Sequence, residues 1–341
     1  MHDSRAREVI RMSDAAFKGK QQLDILFQEI ALNFYPERAD FTSKRHLGSE
    51  FSDHLYSSYP TLARQELGNL ISSNLRPQSQ KWFSNHVDEE EVDKGHNERK
   101  FLEHLSNLQW RGMYDPKAHF VKATKQCDQD FAAFGNGVIH ISLNSEASGM
   151  LYKNYHLRDC AWTENADGEV DCLYRRWNPT ARQLVRQFGD EVSKEVKKCM
   201  KKEPEKVFPC IHVLMPMLLY NQDRKTDEQF RYVSLYVEVD QMNVLEEAPQ
   251  AVFTYAVPRW QTVSGSQYGS SMATTVALPD GRTHQVITRT LREAGEKYVD
   301  PPMIAIGDAI RGDIPLYAGG ITIADMEYDE RLGEVLRPIS Q

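Results

Sequence analysis

The sequence is short of the features that announce chemistry or a membrane. Cysteine is scarce: Cys127, Cys160, Cys172, Cys199 and Cys210 make five, an odd number with no pair at C-x-x-C spacing. That pattern speaks against a disulfide framework, fits a reducing compartment, and leaves a structural zinc site without its usual ligand spacing. No run approaches the roughly 18 consecutive apolar residues of a membrane span. The charged opening stretch MHDSRAREVIRMSDAAFKGK lacks the apolar core of a secretory signal. Basic excess is missing too. With 41 Lys and Arg against 49 Asp and Glu, the formal net charge is -8, a poor match to tight, phosphate-neutralising DNA binding. It still suits a surface past which DNA slides without sticking. There is no P-loop, G-x-G-x-x-G, H-E-x-x-H or G-x-S-x-G string, no internal repeat and no low-complexity tract.

What is present is a globular pattern long enough for about two domains. Hydrophobic residues make up 40% and charged residues 26% of 341. The first third has helical periodicity. Val9, Met12, Ala16, Leu23, Leu26, Phe27 and Ile30 predict a helix over 5–34, with Gly19 as a candidate interruption and Tyr35-Pro36 as its end. Pro60 starts a second helix whose apolar face is Leu62, Ala63, Leu67, Leu70, Ile71 and Leu75, stopped by Arg76-Pro77. Trp82-Phe83 is a short apolar segment, and Asp88 to Glu91 an acidic loop or first helical turn. A third helix covers 97–113. A fourth begins with Asp115 as cap and Pro116 as first residue, and ends near Gly135.

The period then changes to two. Val138 to Ile141 predicts a strand, and the strands 159–163 and 170–177 flank the turn Asn165-Ala166-Asp167-Gly168. A charged helical stretch over 180–202 breaks near Gly189. Strands follow over 207–219, 230–239 and 251–257, the first two joined by a polar turn over 221–228. A short helix over 268–276 breaks at Pro279, and Asp280 caps a further helix to about Tyr298, stopped by Asp300-Pro301-Pro302. Short strands over 304–306, 314–317 and 321–323 complete an α+β chain: a helical N-terminal part, a mixed sheet, a helix and a small β-rich tip.

Residues that could carry chemistry are few. Asp128 and Asp130, two apart on a helix, point to different faces and read as solvated. His140 and His212 lie inside apolar strands, where a histidine is usually a packing residue, and His284 reads as interfacial or solvated. Gly135-Asn136-Gly137 follows a helix and precedes a strand, the reverse of a phosphate cradle, and reads as a plain turn. Lys194 to Lys206, interleaved with glutamates, reads as a solvated helix with i,i+4 pairs. Met215 and Met217 read as packing residues. Arg259, Trp260, Tyr268 and Gly269 form an aromatic, glycine-containing junction between sheet and helix, suited to a hinge or a subunit contact. No catalytic, cofactor-binding or metal-binding set stands out.

Four ordered strings bear a resemblance. They are Tyr35-Pro36-Glu37-Arg38-Ala39-Asp40-Phe41; Ala63 to Leu70 with Leu75-Arg76-Pro77 and Trp82-Phe83; Pro258-Arg259-Trp260 with Gly265 and Tyr268-Gly269; and Ala277-Leu278-Pro279-Asp280 with Pro301-Pro302. In this order the chain resembles the head-to-tail connecting (portal) proteins of short-tailed bacteriophages over nearly its whole length. The resemblance implies a non-enzymatic, cofactor-free ring subunit, usually one of twelve, at one capsid vertex of the virion and assembled in the host cytoplasm. Its implied partners are double-stranded DNA, passing non-specifically during packaging and ejection, and the major capsid, scaffolding, terminase and tail adaptor proteins, with no membrane. Residues 1–258 would be the wing (1–134 mainly helical, 135–258 α/β), 259–300 the stem helix region, and 301–341 the start of the clip. Arg282, Arg289, Arg292 and Lys297 would be channel-facing DNA contacts; the first three can share one helical face and Lys297 drifts off it. The family continues beyond this point with a returning stem helix and more wing, so the chain reads as part of a subunit.

Two other readings compete. A phage hydrolase or nuclease would gather His140, His212, Asp159 and Asp171 in one pocket. A non-portal adaptor or minor capsid protein would share the lack of a catalytic set.

Overall fold

A computed structural model of the chain describes residues 4–44, 46, 48, 50–51, 55–78, 80–87, 95–144, 146–220 and 230–299, and the backbone of four short strands between 303 and 338. The chain divides into two compact units: one holds residues 1–52 and 59–278, the other residues 53–58 and 279–341. The fold is α+β.

In the first unit, helix α1 (Ser4–Phe34) runs unbroken through Gly19. Its two halves serve different cores. Ala6, Val9 and Phe17 pack on one face of a sheet, while Phe27, Ile30, Ala31 and Phe34 join Phe41, Phe134, Trp162 and Leu173. Next to Gly19, Lys20 is almost wholly buried. Its ammonium donates to the carbonyls of Leu157 (2.5 Å) and Cys160 (2.8 Å) and pairs with Asp24 at 3.2 Å. Burial lowers its pKa; the two carbonyls and the carboxylate offset the cost of desolvating it.

Helix α2 (Tyr59–Leu75) corrects the expected apolar face. Pro60, Arg64 and Gly68 are its buried residues, and Leu62, Leu70 and Leu75 are exposed. The reason lies in neighbours brought in by the fold. Arg64 lies over the Tyr35 ring, 3.9 Å from its centroid, and donates to Phe34 O at 3.2 Å. The missing side chain of Gly68 leaves the space that Gln129 fills. Helix α3 (His96–Met113) matches expectation. Asp115 caps only one 3-10 turn, Pro116–Ala118, accepting from Lys117 N at 2.8 Å. His119, at φ 57, then breaks the chain before helix α4 (Phe120–Phe134). Gly135, at φ 70, closes α4 as the expected C-terminal glycine.

The strands of the first unit form two sheets. One has order β2-β1-β8, from β1 (Ile139–Leu143), β2 (Met150–Asn154) and β8 (Tyr255–Ala256). The other runs β3-β4-β5-β6-β7, from β3 (Cys160–Glu164), β4 (Val170–Trp177), β5 (Cys210–Pro216), β6 (Tyr232–Glu238) and β7 (Asn243–Gln250). The expected mixed sheet is antiparallel in every pairing. Strands β2 and β7 were not anticipated, and the strand expected over 251–257 shrinks to two residues. The Asn165 turn holds: Asn165 N donates to Glu169 O at 2.9 Å and Gly168 has φ 79. Ala161, Tyr174, Val213 and Leu235 face the N-terminal half of α1. On the opposite face, register aligns Cys160, Arg175, His212, Tyr236 and Glu246 in one row across all five strands.

Helices α5 (Ala181–Phe188) and α6 (Lys194–Lys202) follow β4, separated at Gly189. The lysine run pairs with neighbouring elements rather than within α6: Lys197 with Asp190 at 3.0 Å and Lys206 with Glu195 at 3.5 Å. Beyond β5, Met217–Tyr220 is a short helix, α7, where strand was expected. Met215 and Met217 are both core residues.

Pro279 breaks nothing. The turn before it, Ala273–Ala277, is π-helical, with Leu278 N bonded to Ala273 O, and the chain runs on as helix α8 (Leu278–Val299). A widened turn accommodates a residue that has no N–H to donate. Asp280 therefore lies inside the first turn instead of capping a new helix.

In the second unit, Gln285 of α8 clasps residues 56–57. Its Oε1 accepts from Tyr56 N (2.8 Å) and Ser57 N (2.9 Å), and its Nε2 donates to Ser57 O (3.0 Å). Strands β9 (Met303–Ala305) and β10 (Pro315–Tyr317) pair antiparallel, as do β11 (Met326–Asp329) and β12 (Glu334–Pro338). The expectations for 88–91, 221–228, 300–302 and 321–323 lie outside the described residues. No helix among the described residues is long and apolar enough to cross a membrane.

Candidate functional site: the junction at residues 259–278 and the face of helix α8

The junction grows from Gly135-Asn136-Gly137, which is more than a plain turn. Asn136 is completely buried. Its Nδ2 donates to Phe134 O (2.9 Å) and Gly269 O (2.8 Å), and its Oδ1 accepts from Gly269 N (2.7 Å). Gly135 O accepts from Trp260 N at 2.9 Å. A side chain on Gly269 would meet Gly135 O at 2.7 Å, so the close approach of the two backbones needs glycine there. Ser271, also buried, donates to Ala133 O at 2.7 Å. The buried side chains of Asn136 and Ser271 are thus both partnered, as burial demands.

The structure thus gathers Arg259, Trp260, Tyr268 and Gly269 in one place. Trp260 stacks on Phe131 (5.3 Å between centroids, 22° between planes). Tyr268 lies 4.4 Å from the Trp162 ring, whose Nε1 donates to Gln267 O at 3.0 Å. Burial pushes the Tyr268 hydroxyl up to about 12. Arg259 pairs with Glu164 and donates to Gly168 O (3.1 Å) and Gln267 O (3.3 Å), tying the junction to the β3–β4 hairpin.

Arg282, Arg289, Arg292 and Lys297 are exposed on α8. Arg289 pairs with Glu293 (2.7 Å) and Arg292 with Glu296 (3.1 Å), each four residues on. Arg289 also lies 5.7 Å from the Tyr56 ring centroid. The same helix exposes Val286 (63%), Ile287 (53%), Leu291 (68%) and Tyr298 (80%), an apolar display that the sequence reading did not single out. His284 is exposed as well.

Asp128 and Asp130 are buried, contrary to expectation. Asp130 accepts from Arg38 (3.1 and 2.9 Å) and Asn154 (2.8 Å), and Asp128 pairs with Arg76. They face different neighbours, as their spacing requires, but both neighbours are protein. Arg38 and Arg76 lie in two of the four family-like strings, which therefore hold the helices together.

The grouping that a hydrolase needs is only half assembled. The His140 and His212 rings lie 5.6 Å apart. His212 meets the Tyr255 hydroxyl (Nδ1, 2.5 Å) and Ser234 (Nε2, 2.9 Å). Asp159 instead bonds Arg158 at 2.9 Å, and neither it nor Asp171 is among the charges acting on the two histidines. Burial, reinforced by Arg175, lowers His140 to about 4 and His212 well below its ordinary value, making both poor bases at neutral pH. Among the described residues no group of His, Cys, Asp and Glu is arranged to hold a metal.

Comparison with known proteins adds what the geometry alone does not. The profile of a family described as "Bacteriophage head to tail connecting protein" matches residues 7–339. The chain is 24% identical over 289 residues to the "Probable portal protein" of Bordetella phage BPP-1, covering 84% of this chain and 51% of that protein. It is 27% identical over 163 residues to the "Portal protein" of Salmonella phage epsilon15, covering 47% of this chain and 29% of that protein. The chain spans about half the length of the first relative and under a third of the second.

Proposed function

The chain belongs to the bacteriophage head to tail connecting protein family, and from that premise we propose that it is the wing, first stem helix and start of clip of a portal subunit. The observation that carries this reading is the family match over residues 7–339. In this role the subunit forms a ring of like copies at one capsid vertex of the virion. Double-stranded DNA passes through the ring during packaging and ejection, and the ring docks terminase, tail adaptor, scaffolding and capsid proteins. Its part is structural rather than catalytic.

Residues 1–258 are assigned to the wing, 259–300 to the stem region and 301–341 to the clip. The buried junction supports a stem base of fixed geometry. The exposed Val286, Ile287, Leu291 and Tyr298 support a helix that gains neighbours on assembly. Arg282, Arg289, Arg292 and Lys297 are the candidate DNA contacts. With glutamates beside two of them and a net charge of -8 per chain, such contacts are screened and transient, as a sliding substrate requires.

The test is native mass spectrometry with negative-stain microscopy of the full-length gene product. Closed rings of many copies with a central channel are expected; a strictly monomeric product at every salt concentration overturns the reading.

A further inference from the structure

Two clefts of the first unit lie outside everything assigned above. The first, about 500 Å³, opens over the β6–β7 side of the row described earlier; its lining includes His140, Leu143, Ser234, Glu246, Ala248 and Phe253. The second, about 580 Å³, is lined by Trp82, Phe83, Leu108, Gly112 and Tyr152, among others. Met150 lines both. The two clefts are therefore neighbours along β2, divided by one unbranched and adaptable side chain. The aromatic wall of the second is braced from behind: Trp82 stacks near Phe120 (6.5 Å, 11°), and Phe83 packs against Trp110 at 6.1 Å.

We propose that this double cleft is a docking groove for an extended, uncharged segment of a partner polypeptide, which places one apolar side chain in each cleft. Three observations favour that occupant. The first is length: two apolar hollows flanking Met150 suit a chain that crosses both better than a compact small molecule.

The second is an open main-chain position between them. In β1, even-numbered residues bond toward β2, as Asn144 N to Gly149 O and Val138 O from Tyr155 N continue to show. Odd-numbered residues bond toward β8, as Ile141 N to Thr254 O shows. The next odd residue, Leu143, has no main-chain partner on that side among the described residues. An added extended segment can continue the ladder there.

The third is charge. Beside the lining residue His212 in the row lies the buried Arg175, whose charge acts on both His140 and His212 of the lining. It sits against Tyr155 (4.3 Å) and Trp177 (5.0 Å), and no carboxylate pairs with it among the described residues. The cleft's lining itself includes the carboxylate-bearing Glu246. A free cation in the cleft is opposed by the Arg175 charge behind the lining histidines and a free anion by Glu246, whereas an amide dipole with its carbonyl inward suits both. The segment is thus apolar at its two anchors and carries no charge between them.

The experiment is a titration of the whole chain, ¹³C-labelled at Met and Ile methyls, with terminally blocked uncharged peptides. These carry one or two phenylalanines on a serine–glycine backbone, at separations of two to six residues. One two-anchor peptide is expected to shift Met150 and Ile141 and to bind at least tenfold more tightly than any one-anchor peptide. Ala248→Trp fills the first cleft. Gly112→Leu fills the second, where an added side chain meets nothing within 4 Å. Each plug is expected to lower the two-anchor affinity at least tenfold while leaving the remote Met12 signal unchanged. The proposal is overturned if two anchors bind no better than one, or if both plugs leave binding unchanged. It is also overturned if a lysine or aspartate between the anchors is tolerated, or if blocked phenylalanine alone binds as tightly, which would make this a small-molecule pocket.

Discussion

The knot at residues 133–137 and 259–271 and the helix that begins at Leu278 are a few residues apart in sequence and opposite in construction. In the knot, a buried asparagine bonds the backbone of Gly269 and a buried serine bonds Ala133 O, so these polar groups are satisfied within the chain. On α8, cations pair with glutamates of the same helix and large apolar side chains face outward. The first arrangement is complete within one chain. The second makes sense with something packed beside it. Substitutions in the first unit should therefore change folding, and substitutions on α8 should change association.

The largest expected effect is in the first unit. Asp130→Ala leaves the half-buried Arg38 and Asn154 without their carboxylate and should cost about 3 kcal/mol, read as a fall in the urea midpoint. Acid comes next. His140 has a pKa of about 4 in the folded chain against an ordinary 6.5, so the unfolded chain takes up its proton first. The stability held above pH 6.5 should drain as pH falls toward 4, by at most about 3 kcal/mol. His140→Gln should reduce that slope, with buried His212 supplying what remains; an unchanged slope would show that His140 does not contribute. Asn136→Ala strands both amide groups of Gly269 and should cost about 1–3 kcal/mol. On α8, Leu291→Ser should change the stability read by urea unfolding by no more than about 0.5 kcal/mol yet reduce ring yield in mass photometry; a large loss of stability would break the comparison. Arg289→Gln should have the smallest effect, one that 0.5 M salt removes.

Much of the framework was legible in the sequence, because helix α1, helix α3, the Asn165 hairpin and the Gly135 cap are all set by local periodicity or turn chemistry. Several failures share a cause: a partner distant in sequence decided the outcome. The apolar stripe of α2 points outward because Arg64 and Gly68 fit Tyr35 and Gln129. Asp128 and Asp130 are buried because Arg76 and Arg38 reach them. Strand β7, NVLEEAPQ, carries two glutamates and a proline and is tolerable only as an edge. Pro279 passed for a helix breaker because no periodicity betrays one extra residue in the turn before it. Sequence spacing marks Arg259, Trp260, Tyr268 and Gly269 as a group, but nothing local distinguishes the asparagine that binds Gly269 from an ordinary turn residue.

Lys20 offers a clock. An amine reagent attacks only a neutral, accessible nitrogen, and this one is capped by two carbonyls inside the first unit. The surface lysines should react within the mixing time of a labelling pulse. Lys20 should wait until α1 lifts away from residues 157–160. Its labelling rate, followed by mass spectrometry on intact protein, counts openings of the α1–β3 contact one molecule at a time.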